Sequence, residues 1–164
     1  GVHVIDITNA SAPREVSHYD DPYGGLTYIT VAGNYAYVIA QGSGLMILDV
    51  SNPASPRTMI RRYNFNGQLT FLSRPIARDT KLYVTSGCSL RVLDISDPAH
   101  PTQQTSKDIP GCAEDLALAT YPRSRDDYLY IAEEPLHGLT DGGLRIVRLE
   151  DLSDVGYYQP PRTN

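Results

Sequence analysis

Gly44-Leu45-Met46-Ile47-Leu48-Asp49-Val50-Ser51-Asn52-Pro53 is a short apolar strand closed by turn formers, and its recurrence decides the fold. An earlier copy reads Gly1-Val2-His3-Val4-Ile5-Asp6-Ile7-Thr8-Asn9, and a later one Ser89-Leu90-Arg91-Val92-Leu93-Asp94-Ile95-Ser96-Asp97-Pro98. The equivalent aspartates, Asp6, Asp49 and Asp94, stand 43 and 45 residues apart. A fainter copy, Gly143-Leu144-Arg145-Ile146-Val147-Arg148-Leu149, has Arg148 where the others have Asp, so the repeat has drifted there. A second strand precedes each of the last three copies: Tyr35-Ala36-Tyr37-Val38-Ile39-Ala40, Leu82-Tyr83-Val84-Thr85 and Tyr128-Leu129-Tyr130-Ile131-Ala132.

A period of about 40 to 50 residues carrying four strands is the mark of a propeller blade. Order and alternation place the strands of one unit at Leu26–Ala32, Ala36–Ala40, Leu45–Val50 and Thr58–Tyr63. The next unit takes Leu69–Ala77, Lys81–Thr85, Leu90–Ile95 and Gln103–Ile109, and the last takes Ala113–Thr120, Leu129–Glu133, Gly143–Leu149 and Val155–Gln159. Ahead of them stand only Val2–Ile7 and Glu15–Tyr19, the third and outer strands of a blade without an inner pair. The expected fold is therefore all-β, a β-propeller fragment of about three and a half four-stranded blades: a half blade over 1–22 and blades over 23–65, 66–110 and 111–164. The first residue, Gly1, opens directly on the alternation, which leads us to expect that the natural protein begins earlier.

Leu48-Asp49-Val50-Ser51-Asn52-Pro53 and Val92-Leu93-Asp94-Ile95-Ser96-Asp97-Pro98, each followed three residues on by Pro56 or Pro101, resemble the repeat of the LVIVD family over nearly the whole chain. That resemblance implies a β-propeller, often in secreted or surface-attached bacterial and archaeal proteins. It brings no shared catalytic residue.

Composition narrows the function classes. The chain has 164 residues, enough to bury a core without a metal or disulfide framework, and its 13 Gly and 12 Pro punctuate short β-branched or tyrosine-rich runs. The net charge is −5 and the cationic residues are mostly arginines scattered singly, with no Lys/Arg cluster to track a phosphate backbone, so nucleic acid is not an expected partner. No apolar run approaches the roughly 18 residues of a membrane span.

The Asp-x-Ser-Asn/Asp-Pro segments read as turns in which Asp and Asn accept hydrogen bonds from backbone N–H groups two residues on, in preference to cation loops. His3, His18, His100 and His137 fall on a third strand, an outer strand, a turn and a long loop; they are not expected to converge, and a histidine metal site is therefore not expected. Ser43 and Ser86 lie in Gly-containing turns and carry no nucleophile motif, so no catalytic residue and no cofactor are expected.

Cys88 and Cys112 fall at one end of adjacent blades and could be bridged in an oxidising compartment, although free, partly buried thiols are the alternative. The same face is expected to gather Asp20, Asp21, Glu114, Asp115, Glu133, Glu134 and Asp141, with Tyr23 and His137, as a candidate binding face. The bland alternative is the solvated loop surface of an acidic protein.

The functional expectation is a non-catalytic binding or scaffold module of a secreted or cell-surface protein. It would recognise a protein or polymer through loops on one face, or pair with another copy or with further blades of the same protein. Two alternatives stand beside it: a structural subunit of an extracellular assembly or filament, and the scaffold part of a propeller-based enzyme with its site at the ring centre.

Overall fold

The computed structural model describes residues 1–22, 24–67, 72–120, 127–134 and 142–161. Its strands run in chain order as β1 (Val2–Asp6), β2 (Arg14–Tyr19), β3 (Leu26–Ala32), β4 (Tyr35–Ala40), β5 (Gly44–Asp49), β6 (Arg57–Tyr63) and β7 (Ile76–Arg78). They continue as β8 (Lys81–Ser86), β9 (Ser89–Asp94), β10 (Thr102–Asp108), β11 (Cys112–Thr120), β12 (Asp127–Glu134), β13 (Gly143–Arg148) and β14 (Asp154–Tyr158). All pairings are antiparallel, in the orders β1-β2, β3-β4-β5-β6, β7-β8-β9-β10 and β11-β12-β13-β14. A two-stranded sheet is thus followed by three meandering four-stranded sheets, the pattern of blades.

The hairpins are set by local chemistry. Gly33 and Asp79 occupy the same place in the two-residue turns β3–β4 and β7–β8, with φ of 55° and 52°. Both turns therefore need a residue that tolerates the left-handed region, which Gly does freely and Asp does with local hydrogen bonding. After the third strand of each repeat, the Asp accepts the N–H two residues on: Thr8 to Asp6 at 3.0 Å, Ser51 to Asp49 at 2.9 Å and Ser96 to Asp94 at 2.8 Å. Arg148, where the repeat drifts, finds another solution by donating to Ser153 Oγ at 3.1 Å.

Successive residues of a strand face opposite sides of its sheet. The second and third strands of the inner blades are buried on both sides because a neighbouring sheet covers each: after its first residue β4 is buried throughout, and so is β8. Outer strands alternate, as in β6, because one side meets solvent. Tyr37, Ile39, Leu45 and Ile47 of the first full blade pack on Leu82, Val84, Leu93 and Ile95 of the second. Tyr83, Leu90 and Val92 pack on Leu116, Leu129, Ile131 and Val147 of the third. On the other side of the first blade, Ala36, Val38, Met46 and Leu48 are covered by Val2 and Tyr19 of the half blade. Each fully buried aliphatic or aromatic side chain contributes about 1.5–3 kcal/mol, so the sheet-to-sheet faces are what hold the stack.

One strand differs from expectation. The innermost strand of the second full blade, expected over 69–77, is ordered as β7 plus a single bridge between Leu72 and Ser86, and residues 68–71 lie outside the described residues. Pro75 sits between the two pieces and has no N–H to give the ladder.

Candidate functional site

The ends at which the innermost strands begin form one rim, and the expected acidic residues are distributed there unequally. A register shift between Ala113 and Asp115 in the β11–β12 ladder takes Glu114 out of the pairing. Glu114 and Glu134 are both exposed. The Glu114 carboxyl is pushed above the ordinary carboxylate range by partial desolvation first, then by the charge of Glu134 and the hydrogen bond between the two groups. Asp115 accepts the N–H of Leu116 at 2.9 Å and lies 3.8 Å from Arg74 Nε of the second blade. The Arg74 guanidinium also stands 5.8 Å from the centre of the Tyr28 ring on β3, so this one arginine spans three blades at the rim. Neither Arg74 nor Tyr28 is marked by a sequence motif; only the fold brings them to Asp115.

Glu133 is not on the exposed face. It alternates with Leu129 and Ile131 toward the second blade, its side chain is 1% exposed, and it pairs with Arg145. Arg145 bridges to Asp154 at 3.2 Å and lies 5.1 Å from the Tyr157 ring centre, while Lys107 of the second blade reaches Asp154 at 3.3 Å. This is an inter-blade ionic cluster. Asp21 is also turned inward, its side chain 5% exposed and 3.7 Å from Arg61 of β6. Asp20 is exposed and lies 3.5 Å from His18 Nε2. Tyr23, His137 and Asp141 lie outside the described residues. The face therefore resolves into an exposed carboxyl pair, an arginine-bridged Asp115, and two carboxylates buried in ion pairs.

The histidines correct another expectation. His3 and His18 do converge, because third and outer strands pair directly and the register sets these two residues opposite each other. Their ring centres are 5.9 Å apart, and Glu15 contacts Nδ1 of His3 at 3.0 Å and Nδ1 of His18 at 3.2 Å. The Glu15 carboxyl is held below its ordinary range chiefly by the hydrogen bond with His3. Among the described residues, no group of three or more His, Cys, Asp or Glu is placed to hold a metal ion.

Cys88, in the turn between β8 and β9, is paired with Cys112 at the start of β11, their Cα atoms 4.1 Å apart. The pair joins the second blade to the innermost strand of the third. On the opposite side, a notch of about 530 Å³ between these blades is lined by Arg78, Lys81, Tyr83 and Asp127, with Arg78 held 2.9 Å from Asp127.

Three four-stranded sheets stacked face to face behind a two-stranded half sheet define part of a β-propeller. The chain belongs to the LVIVD-repeat family, whose repeat matches residues 1–21, 24–64 and 82–108, more than half of its length. The match does not extend to the third full blade, where the repeat has drifted. In fold the chain is similar to a functionally unknown protein from Desulfotomaculum acetoxidans DSM 771, with a TM-score of 0.68 and 15% identity over 93% of this chain and 49% of that one. It is similar also to a chain of an S. cerevisiae assembly of dbp5 with nup159, gle1, IP6 and ADP, with a TM-score of 0.52 and 13% identity over 94% of this chain and 44% of that one. The chain thus spans about half the length of the solved structures it matches. No curated protein matches it in sequence.

Proposed function

We propose that the chain is a non-catalytic binding or scaffold module of a secreted or cell-surface protein, recognising a cationic protein or polymer through the rim at the start of its innermost strands. The observation that carries this reading is the exposed Glu114–Glu134 pair, which has no cationic partner among the described residues. A carboxyl held beside a second carboxyl, as Glu114 is beside Glu134, gains from a cation that relieves their repulsion. The Cys88–Cys112 pairing supports a location outside the reducing cytoplasm.

The test is calorimetric titration of the chain with deca-lysine at low and high salt, alongside the Glu114→Gln/Glu134→Gln double variant. Binding that salt weakens and the double variant loses supports the reading. An acidic chain can attract any polycation weakly, so equal binding by the double variant would refute it.

A structural role in an assembly has its own support. Among the described residues β1 and β2 form a sheet of two strands, and unpaired strand edges invite association.

A further inference from the structure

Successive full blades leave a notch between them at the end where the innermost strand turns into the second. It measures about 310 Å³ between the first and second and about 530 Å³ between the second and third. The two notches are equivalent by register. Ala32 pairs with Tyr35 across one inner turn and Arg78 with Lys81 across the other. On the facing blades, Ile95 donates its N–H to the Thr80 carbonyl and Leu149 to the Asp127 carbonyl, each at 2.8 Å. Tyr37 and Tyr83, both 2% exposed, stand at the same place in the two linings.

Their chemistry differs. Where the first notch sets Ala32, Gly33 and Tyr35 against Thr80 and Ser96, the second sets Arg78, Asp79 and Lys81 against Asp127 and Glu150. Blade packing does not require those charges, since the first notch joins two blades without most of them. Arg78 Nη2 and Asp127 hold each other at 2.9 Å, so one pair of opposite charges is already matched. Hydrogen-bonding capacity is left over. A guanidinium is a fork of N–H donors, and Arg78 Nε has no hydrogen-bond partner among the described residues, Asp79 Oδ2 stopping 3.7 Å away. The buried Tyr83 hydroxyl has none among them either, and burial first, then the charges of Asp79 and Asp127, push its pKa up, so it remains a donor. An anion drawn to Arg78 and Lys81 meets Asp79, Asp127 and Glu150, and a cation drawn to those carboxylates meets Arg78 and Lys81. A neutral hydroxyl suits both sets, because it accepts from the guanidinium and donates to a carboxylate. Several hydroxyls on one small frame fit donors and acceptors spaced around one notch, whose volume is that of a small-molecule site.

We propose that the notch between the second and third full blades is a binding site for a neutral saccharide unit. The Arg78 guanidinium donates to the sugar hydroxyls, the Asp79 and Asp127 carboxylates accept from them, the Tyr83 hydroxyl engages one from the floor, and Leu149 lies against a C–H face of the ring. Hydrogen bonds to charged groups are stronger than neutral ones, which gives a small neutral ligand its hold and its orientation. This site is on the opposite side of the blades from the carboxyl rim and does not depend on it.

The probes are methyl α-D-mannoside, methyl β-D-galactoside and methyl β-D-glucoside, titrated into the isotope-labelled chain and followed by amide NMR. At least one should shift the amides of residues 78–83, 127 and 149–150 and spare those of 33–37 in the first notch. Asp79→Gly gives the turn the residue that Gly33 supplies at nearly the same φ, 55° against 52°, and Arg78→Lys keeps a cation beside Asp127. Each should weaken binding about tenfold or more. Tyr83→Phe keeps the packed ring and should weaken it severalfold, with amide positions away from the notch unchanged. The proposal is overturned if none of the three glycosides shifts the notch, if both notches shift equally, or if the variants bind as the parent does. It is also overturned if sodium sulfate or lysine amide shifts the notch and the glycosides do not, since the ligand would then be charged. Glu114→Gln/Glu134→Gln should bind the glycoside as the parent does, so this reading and that of the carboxyl rim fail separately.

Discussion

Glu133→Ala should be among the most damaging single substitutions in the third blade. Glu133 is 1% exposed in its side chain and Arg145 12%, so removing the carboxylate leaves a guanidinium in a poorly solvated inter-blade space. Breaking a buried pair in this way costs about 3–5 kcal/mol. Asp154 still reaches Arg145 at 3.2 Å, but it is 45% exposed, and so solvated a partner restores about 1 kcal/mol or less. The expected loss is therefore near the lower end, about 3 kcal/mol.

The repeat supplies the control. By register, Glu133 occupies the place of Ala40, and Arg145 the place of Met46 opposite Val38. Glu133→Ala/Arg145→Met rebuilds the apolar pair of the first full blade, and replacing a buried ion pair by packed apolar groups is often neutral, so the double variant should lie within about 1 kcal/mol of the parent. Urea unfolding of the four chains closes a double-mutant cycle. At about 1–3 kcal/mol per molar of urea, the single variant should shift the midpoint by roughly 1 to 3 M. Additive losses, or single losses below about 1 kcal/mol, would refute the assignment of the pair as a buried, coupled one.

Oxidised Cys88 and Cys112, 24 residues apart, should contribute about 3.5 kcal/mol of stability through loop closure, lost on reduction or in Cys88→Ala/Cys112→Ala. Intact mass before and after reduction and alkylation checks the bond. The Asp49 carboxyl is held at about 2, from 3.8, by hydrogen bonds from Ser51 and then Arg57. A depressed folded-state value adds stability that is present above the ordinary range and lost as pH falls through the folded value. Carboxyl NMR should find the Asp49 midpoint near 2, and Asp49→Asn should flatten the loss of Tm in that acid window. Glu114 is raised, so its ionisation opposes folding. Glu114→Gln should therefore gain in Tm relative to the parent as pH rises from about 4 to 7.

What could be read from the chain depended on how local its cause is. The aspartate turns and the short apolar-rich runs of β4, β5, β8 and β9 are written within a few residues, and the structure has them where the repeat puts them. The strand at 69–77 looked regular in composition, but a proline inside it costs a ladder hydrogen bond. Residues brought together across sheets were harder to see. His3 meets His18 only through a ladder whose register shifts between Val4 and Ile5, and Arg74 reaches Tyr28 and Asp115 from a different blade than either. Glu133 was placed with its loop neighbours as a rim residue. Its two-residue spacing from Ile131 and Leu129, and the arginine at the Met46 position, were the signals that it faces inward.

The central claim is that the chain is a stack of three full blades behind a two-stranded half blade. Methyl NOE spectroscopy on the isolated chain tests it most directly. The account predicts contacts of Ile39 and Ile47 with Leu82 and Val84, of Leu90 and Val92 with Leu129 and Ile131, and of Val2 with Val38. Contacts of Val2 with the third blade, or none between the first and second full blades, would contradict it.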